Sequence, residues 1–426
     1  MRTLRILQIG DVHYPVAKQE TTADIGDAAF PTPVVESMLR LPLQGVVRAA
    51  TVELEQRPAD ALFICGDLTT KGKFTDYEAC LDYLDTAFNL KRFVPDRLHA
   101  VPGNHDIDRS KVPLDGTDLA AKFAPLSGAW DSRKLGPLTV GSVRATTAGA
   151  FGDRLTIYSL NSCLGCGERR HLPEEISKEL GELLDAYVDR AGLDEAFALV
   201  GETLDTPGFR QVDIDSLCEA ISKLGPRTTP LILSHHNLLP QAILRVRLYT
   251  EVMNAGIARS RFTRFPRTVI YCHGHIHDDP IEIITSPDQP EARMICISAP
   301  ELTRGFNIIR IDFGVKGYPL GCVVARHRLS GRDGSVASEE RRISFHHPTY
   351  SQARFLGHPK IPETLAKLPE SELYFLDAWE LVKRDDGSPD QVMFAGILCE
   401  AQWLGLMEIL DGDQGHEYWR VRKAGR

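Results

Sequence analysis

The sequence predicts an α/β protein of layered sheets whose chemistry gathers on one rim, and three observations predict it. The first is that short apolar runs stop abruptly at Asp, Asn or His in five places. Leu4 to Ile9 leads to Asp11 and His13, and Ala61 to Cys65 to Asp67. Leu98 to Val101 leads through Pro102 to Gly103-Asn104-His105-Asp106, Leu231 to Leu233 to His235 and His236, and Thr268 to Cys272 to His273, His275 and His277. Such runs read as buried strands, and the polar side chains that follow lie on loops at their carboxyl ends, where α/β sheets keep chemistry. The second is helical periodicity between the strands: Val46, Val47, Ala50 and Leu54 in one segment, Tyr77, Cys80, Leu81 and Leu84 in the next. The third is composition. At 426 residues, 43% hydrophobic and 25% charged, the chain is ordinary globular material with enough apolar side chains for a substantial core. If the strand ends share one rim, these side chains converge on a single pocket, and together they are a metal-ligand set.

Taken in order, the chain begins with a strand and the loop Asp11-Val12-His13. Tyr14 to Pro33, with Gly26, Pro31 and Pro33, reads as a long loop beside the pocket, and Val34 to Gln56 as a helix that Pro58 stops. In Cys65-Gly66-Asp67-Leu68-Thr69-Thr70-Lys71-Gly72 the glycine permits a tight turn, and each oxygen of the following carboxylate can take one cation. A helix follows over Phe74 to Leu90. Leu155 to Leu160 is another strand, ending at Asn161-Ser162. Helical patterning over 172–224, opened by Pro173-Glu174-Glu175 and carrying Leu180, Leu183, Leu184 and Val188 on one face, reads as an inserted helical lobe, a solvated elaboration without a catalytic part. Arg245, Arg247, Arg259, Arg261, Arg264 and Arg267 lie between His236 and His273. Forked guanidinium donors suit phosphate, but such a group more commonly forms a solvated helix face.

Met294 to Ser298, Phe306 to Phe313 and Gly321 to Arg326 read as consecutive strands completing a second sheet, and Gly331 to Glu340 as a polar connection. Pro348, Pro359, Pro362 and Pro369 mark a linker. Beyond it come a helix from Ser371 to about Arg384, another from about Pro389 to Leu404, and a hairpin about Asp411-Gly412-Asp413-Gln414-Gly415-His416. This divides the chain into a catalytic domain, 1–349, and a small helix-helix-hairpin, winged-helix-like module, 350–426, read as a structural or protein-binding appendage.

The formal net charge of -9 argues against a protein that coats nucleic acid through broad positive charge, and an acidic protein acting on phosphate esters needs metal charge in its site. The amino terminus shows no cleavage-site pattern and the chain no apolar run long enough to span a bilayer, so the expected setting is cytoplasmic, without membrane contact. The nine cysteines, an odd number often inside apolar runs, read as reduced core residues. Cys163 and Cys166 are the only close pair, and a zinc ribbon needs a second.

The ordered set Asp-x-His, Gly-Asp, Gly-Asn-His-Asp, His-His and Gly-His-x-His resembles the calcineurin-like metallophosphoesterase superfamily across roughly the first 350 residues. The resemblance implies a four-layer α-β-β-α sandwich and two divalent transition-metal ions, with Mn, Fe, Zn or Co all suited to oxygen and imidazole ligands. It implies that Asp11, His13 and His277 hold one ion, that Asn104, His235 and His275 hold the other, and that Asp67 bridges them. His105 becomes the acid or transition-state contact, with Asp106 orienting it. His236 and His273 have no ligand role in the family pattern, and Asn237 stands where the family usually has proline.

The expected activity is hydrolysis of phosphate esters, a bridging hydroxide attacking in line while His105 stabilises charge or protonates the leaving alkoxide. Gly66 to Gly72 with Tyr77 looks like the cyclic-nucleotide and glycerophosphodiester phosphodiesterase branch, so a phosphodiester substrate is expected. A nuclease, a phosphomonoesterase or protein phosphatase, and a scaffold without metals are the alternatives. A glycine-rich phosphate loop with a following Lys-Ser/Thr and a Gly-x-Ser-x-Gly elbow are both absent from the sequence.

Overall fold

Strand β1 (Arg2–Ile9) sends Leu4 and Ile6 to one face and Leu7 and Ile9 to the other, and all four are buried. A strand apolar on both faces needs cover on both. In this computed structural model, which describes residues 2–14, 42–70, 72–93, 96–108, 118–136, 138–141, 143–147, 154–167, 179, 182, 186, 205–240, 251–277, 280–286, 288–330, 335–346, 357–412 and 414–424, it has that cover. β1 pairs in parallel with β2 (Ala61–Ile64), which pairs with β3 (Leu98–Ala100). The second sheet runs in the order β4 (Arg144–Thr147), β5 (Leu155–Ser159), β6 (Thr229–Leu233), β7 (Thr268–His273), β9 (Gln289–Ser298), β8 (Ile281–Ser286), with β5, β6, β7 and β9 mutually parallel.

The two sheets face each other across one mainly apolar layer that includes Leu4, Ile6, Phe63, Ile157, Leu231, Ile270, Ile295 and Ile309. Helices α1 (Pro42–Gln56), α2 (Phe74–Phe88) and α3 (Ala124–Ser132) cover the outside of the first sheet through Val46, Leu81 and Trp130. Helices α4 (Gln211–Ser222) and α5 (Ala255–Phe262) cover the outside of the second through Ile214, Leu217 and Phe262. The layers therefore stack helix, sheet, sheet, helix, and the carboxyl ends of β1, β2, β3, β6 and β7 meet at one rim.

Three expectations are corrected here. The apolar runs 294–298, 306–313 and 321–326 do not complete one sheet. β9 stays in the second, whereas β10 (Gly305–Phe313) and β11 (Pro319–Leu329) return to the first, β10 antiparallel to β1. An apolar strand is buried whichever sheet it joins, so periodicity cannot choose. Second, part of the polar connection 331–340 is strand β12 (Val336–Ser344), at the edge of the first sheet. Its Glu339, Glu340 and Arg341 are exposed, and charge on an edge strand is how a sheet avoids pairing with another chain. Third, α4 lies in the outer layer of the second sheet, against Tyr158 and Ile232, and so does not belong to a separate lobe. Most of 172–204 lies outside the described residues, as do the long loop over 15–33, the start of the first expected helix, the stretch 347–356, Arg245 and Arg247. Among the described residues no helix is long and apolar enough to cross a membrane.

The tail contains α6 (Ile361–Lys367), β13 (Leu373–Tyr374), α7 (Phe375–Val382), α8 (Gln391–Trp403), β14 (Met407–Leu410) and β15 (Arg420–Lys423), the three strands forming a small sheet. α6 falls where prolines suggest a linker, yet Pro362 sits in its first turn, where the missing N–H costs nothing. The Asp390 carboxylate accepts the Met393 N–H at 2.7 Å and caps α8. The core of this part, around Phe375, Phe394, Leu398 and Val421, also takes in Leu320 and Val323 of β11. The Trp403 indole lies over Gly321, where a Cβ would overlap it, and donates to Asp312 at 3.2 Å.

Removing 350–426 strips this cover from Leu320 and Val323, whose burial is worth about 1.5–3 kcal/mol each. The five polar clusters of the rim lie upstream. The truncated chain is expected to unfold at a lower temperature by calorimetry while keeping the full chain's metal content. Loss of metal from a truncated chain that still folds would show that the tail shapes the rim.

Candidate metal centre

The rim loops are laced to one another by main-chain hydrogen bonds. Asp11 and His13 donate to the carbonyls of Gly66 and Asp67 at 3.1 and 2.9 Å, and Gly274 donates to His235 at 2.9 Å. Asp11, His13, Asp67, His275 and His277 all have positive φ, between 46° and 71°. That region disfavours residues with a Cβ, and such strain gathers at functional sites because surrounding contacts hold it. Two glycines make room for the carboxylates. Gly66, at φ 96°, would with a Cβ press on His235 Nδ1 and on the backbone of Gly103, while a Cβ on Gly103 would overlap Asp67 Oδ1.

The side chains form two clusters with one member in common. In the first, Asp11, His13, Asp67 and His277 bring their donor atoms within 4.8 Å of one another. His13 Nε2 and His277 Nε2 stand 3.1 Å apart, and His277 Nε2 is 3.5 Å from Asp11 Oδ1. In the second, Asn104 Oδ1 lies 3.1 Å from both His235 Nε2 and His275 Nδ1. Asp67 Oδ2 belongs to both, 3.3 Å from His235 Nε2 and 3.9 Å from His13 Nε2. This oxygen is buried and has no hydrogen-bond partner among the described residues. Its twin, Oδ1, accepts the His105 main-chain N–H at 2.9 Å. A buried carboxylate oxygen without a donor, among imidazole nitrogens, is what a cation would satisfy. Two imidazole nitrogens each about 2.1 Å from one ion stand about 3.0 to 3.4 Å apart as their angle opens from a right angle to the tetrahedral one, and His13 and His277 are 3.1 Å apart.

Electrostatics agree. Burial alone would raise the carboxyl of Asp67, but the charges of His235 and His105 outweigh it and hold it well below the usual range. At Asp11 burial is likewise outweighed, there by the hydrogen bond and charge of His277. Burial works against a charge on His235, yet Asp67 raises its pKa to about 10, while burial and His235 push His275 down to about 3. The Cys65 carbonyl accepts a hydrogen bond from His235 Nδ1 at 2.7 Å and turns Nε2 toward Asp67 and Asn104.

Asp106 departs from its expected task of orienting His105. Its carboxylate instead accepts the N–H groups of Gly103, Leu68 and Thr69 at 2.9, 3.2 and 3.1 Å. It fastens the Gly-Asn-His-Asp loop to the Gly-Asp loop, and burial followed by the charge of Asp67 raises its pKa to about 6. The His105 ring is held by the Thr70 carbonyl, 3.3 Å from Nδ1, and stands edge-on to His13 with ring centroids 4.9 Å apart. It is half-buried at the open side of the clusters.

His236 is fully buried beside His275, and His273 is buried with Nδ1 facing the Gly274 carbonyl. Asn237 bonds through its side chain to the Leu239 carbonyl and accepts the Val252 N–H through its own, which sets the loop without the family's proline. Two acids escape the sequence analysis. Asp205 accepts from Asn104 Nδ2 at 3.1 Å and turns the amide oxygen inward, and Glu301 lies 3.8 Å from His277 Nδ1. Glu301 stands three residues beyond the apolar end of β9, the signal that marks the other residues but with a glutamate in place of Asp, Asn or His, whereas Asp205 follows no strand among the described residues. Of the arginines, Arg261 pairs with Asp215, and Arg267 donates to the carbonyls of Leu224 and Gly225, both at α4 and its end.

Two carboxylate and imidazole clusters sharing one buried aspartate, at the rim of a four-layer sandwich, define a hydrolase that works with two divalent metal ions. Residues 4–279 match the family described as Calcineurin-like phosphoesterase, and the chain belongs to that family of metal-dependent phosphoester hydrolases. Among curated proteins no sequence matches. Similar solved structures include a dimetal phosphatase from Danio rerio, at 15% identity and TM-score 0.46, covering 80% of this chain and 99% of that one. An anchor protein of the inner membrane complex of Plasmodium is 10% identical with TM-score 0.41, covering 82% and 90%. A putative 5'-nucleotidase from Staphylococcus aureus is 11% identical with TM-score 0.41, covering 80% of this chain and 54% of that one.

The overlap at Gly103 yields a test. Gly103→Ala is expected to displace the Asp67 carboxylate and to lower metal content by elemental analysis, with the circular dichroism of the fold unchanged. Full metal content would mean that Asp67 need not keep this position.

Proposed function

We propose that the protein is a phosphodiesterase, acting on small phosphodiesters such as cyclic nucleotides or glycerophosphodiesters, and that its ligands are those of the two clusters. Asp11, His13 and His277 would hold one ion, Asn104, His235 and His275 the other, and Asp67 both, which accords with an Asp67 Oδ2 that lies between the clusters and has no hydrogen-bond partner among the described residues. Divalent ions held there neutralise phosphoryl oxygens and make the attacking water acidic.

The protein's own part is positioning and proton transfer. Asp106 locks the loop that carries Asn104 and His105, so both side chains are placed before substrate arrives. His105, held through Nδ1 by Thr70, keeps its other ring nitrogen for the departing oxygen, donating a proton or stabilising its charge.

The charge of the site carries the choice of a diester. Among the described residues the largest charges acting on Asp11 are those of His277, His235 and Asp67, and on Asp67 those of His235, His105 and His13, while Arg304, which reaches the rim, is paired with Glu301 at 3.4 Å. A monoester dianion asks for further fixed positive charge, whereas a diester brings one negative charge that the ions can match. Of the six arginines behind the nuclease alternative, Arg261 is paired with Asp215 and Arg267 bonds the carbonyls of Leu224 and Gly225.

Comparing kcat/KM for bis(4-nitrophenyl) phosphate, 4-nitrophenyl phosphate, cyclic nucleotides and single-stranded DNA tests this directly. Small diesters are expected to lead, and faster monoester turnover would sink the assignment. Asp67→Ala is expected to empty both metal positions by elemental analysis, since it removes the one shared ligand, and full loading would refute the bridge. General acid help is worth about a hundred- to ten-thousand-fold, so His105→Ala is expected to slow a diester with an alkoxide leaving group by that order. A nitrophenolate, which leaves without a proton, should suffer less, and metal content should hold. Equal losses on both substrates would assign His105 to charge stabilisation alone.

A further inference from the structure

Cys163 and Cys166 lie in the loop after β5, where the Cys166 N–H donates to the Cys163 carbonyl at 3.1 Å and closes a tight turn. The fold brings His236, from the loop after β6, onto this turn. Cys163 Sγ stands 3.7 Å from His236 Nδ1, and the two sulfurs and an imidazole nitrogen all lie within 4.8 Å of one another. All three side chains are fully buried. We propose that Cys163, Cys166 and His236 form a third metal site, adjoining the second cluster through His236, which lies beside His235 and His275, for a thiolate-preferring divalent ion with zinc foremost.

The geometry supports it. Ligands of one tetrahedral zinc, with Zn–S about 2.3 Å and Zn–N about 2.0 Å, stand roughly 3.5 Å apart, close to the spacing of Cys163 and His236. His236 is held beside the sulfur by Ser162, whose Oγ accepts the main-chain N–H at 3.1 Å and lies 2.8 Å from Nδ1, a contact that an ion bound at Nδ1 would replace. The turn is also held from behind, because the fully buried ammonium of Lys122 donates to the carbonyls of Leu164 and Cys166 at 2.7 and 2.6 Å. Binding forms two sulfur–metal bonds and breaks two S–H bonds, two protons leave to solvent, and no electrons move. Such an ion would join the loops after β5 and β6 next to Pro102, whose carbonyl lies 3.4 Å from Cys163 Sγ, just ahead of the Gly-Asn-His-Asp loop.

Cobalt(II) distinguishes this site from the neighbouring clusters, because none of Asp11, His13, Asp67, Asn104, His235, His275 and His277 carries sulfur. Reduced full-length protein loaded with cobalt is expected to show sulfur-to-metal charge-transfer absorption in the near ultraviolet. The band should persist in Asp67→Ala, whatever becomes of the dinuclear centre. It should vanish in the double variant Cys163→Ser, Cys166→Ser, which should hold one ion fewer per chain than the wild type. If that variant does not fold, the wild type alone decides. A cobalt-loaded wild type without the band, or one whose two thiols react with an alkylating reagent as fast as in metal-free protein, overturns the proposal. A pair that forms a disulfide on oxidation and never takes up metal overturns it too.

Discussion

Two carboxylates sit at the seam between two apolar sheets, Asp11 at 0% exposure and Asp67 at 1%, and the rest of the rim is arranged around that charge. An uncompensated buried charge costs several kcal/mol even after relaxation, so the structure must bring positive charge or donors to it. It brings both. Asp11 accepts the His275 main-chain N–H through both oxygens, Asp67 accepts that of His105 through one, and imidazoles converge on the oxygens that remain. The left-handed backbones of Asp11, His13, Asp67, His275 and His277 follow from the same demand, since each turns the chain sharply enough to aim a side chain back over its own strand end. Strain of this kind costs on the order of 1–3 kcal/mol per residue and persists only where the surroundings over-determine it.

Those surroundings include a polar bridge through the otherwise apolar layer between the sheets. Gln8 of β1 donates across to the carbonyl of Ile297 in the second sheet at 3.1 Å, and Asn307 of β10 donates to Gln8 at 2.9 Å and to the Ser298 carbonyl at 2.7 Å. These amides are fully buried, and because their bonds run from one sheet to the other they fix how the two rims face each other. The first cluster needs this fixed relation, since Asp11, His13 and Asp67 come from the first sheet and His277 from the second. The second cluster needs it equally, with Asn104 on one side and His235 and His275 on the other.

What the sequence made legible follows from this geometry. An apolar strand that must end at a charged rim leaves a local mark, a hydrophobic run stopped by Asp, Asn or His, and Asp11, His13, Asp67, Asn104, His235, His275 and His277 all carry that mark. Residues that serve the site from elsewhere do not carry it in full. Asp205 reaches Asn104 from a stretch that follows no strand among the described residues, Glu301 reaches His277 from beyond β9 as a glutamate rather than the Asp, Asn or His of the pattern, and Cys163 and Cys166 meet His236 only because β5 and β6 are neighbours in the sheet. Sheet membership was hidden for a related reason: β9 and β10 are both apolar, and only the crossing at Ala299 to Arg304, where Ala299 bonds to His273 and Leu302 to Asp11, sends β10 back to β1. β12 was hidden by exposed charge, and α6 by a proline that a helix accepts in its first turn.

The Gly-Asn-His-Asp loop shows why such a site is written as a compact block. Four consecutive residues do four different things: Gly103 leaves space for Asp67, and Asn104 points into the second cluster. His105 gives its N–H to Asp67 and its ring to the open side, and Asp106 turns back to accept the Leu68 and Thr69 N–H groups of the neighbouring loop and the Gly103 N–H of its own. Successive side chains of a tight turn project in different directions, so inserting or deleting one residue would exchange these tasks and leave the Asp67 oxygens without their arrangement. Asp106 reaches His105 only through the backbone. The ring's direction depends instead on Thr70, in the loop that Asp106 fastens, so the position of the proposed acid and that of the shared carboxylate are set by one hydrogen-bonded frame.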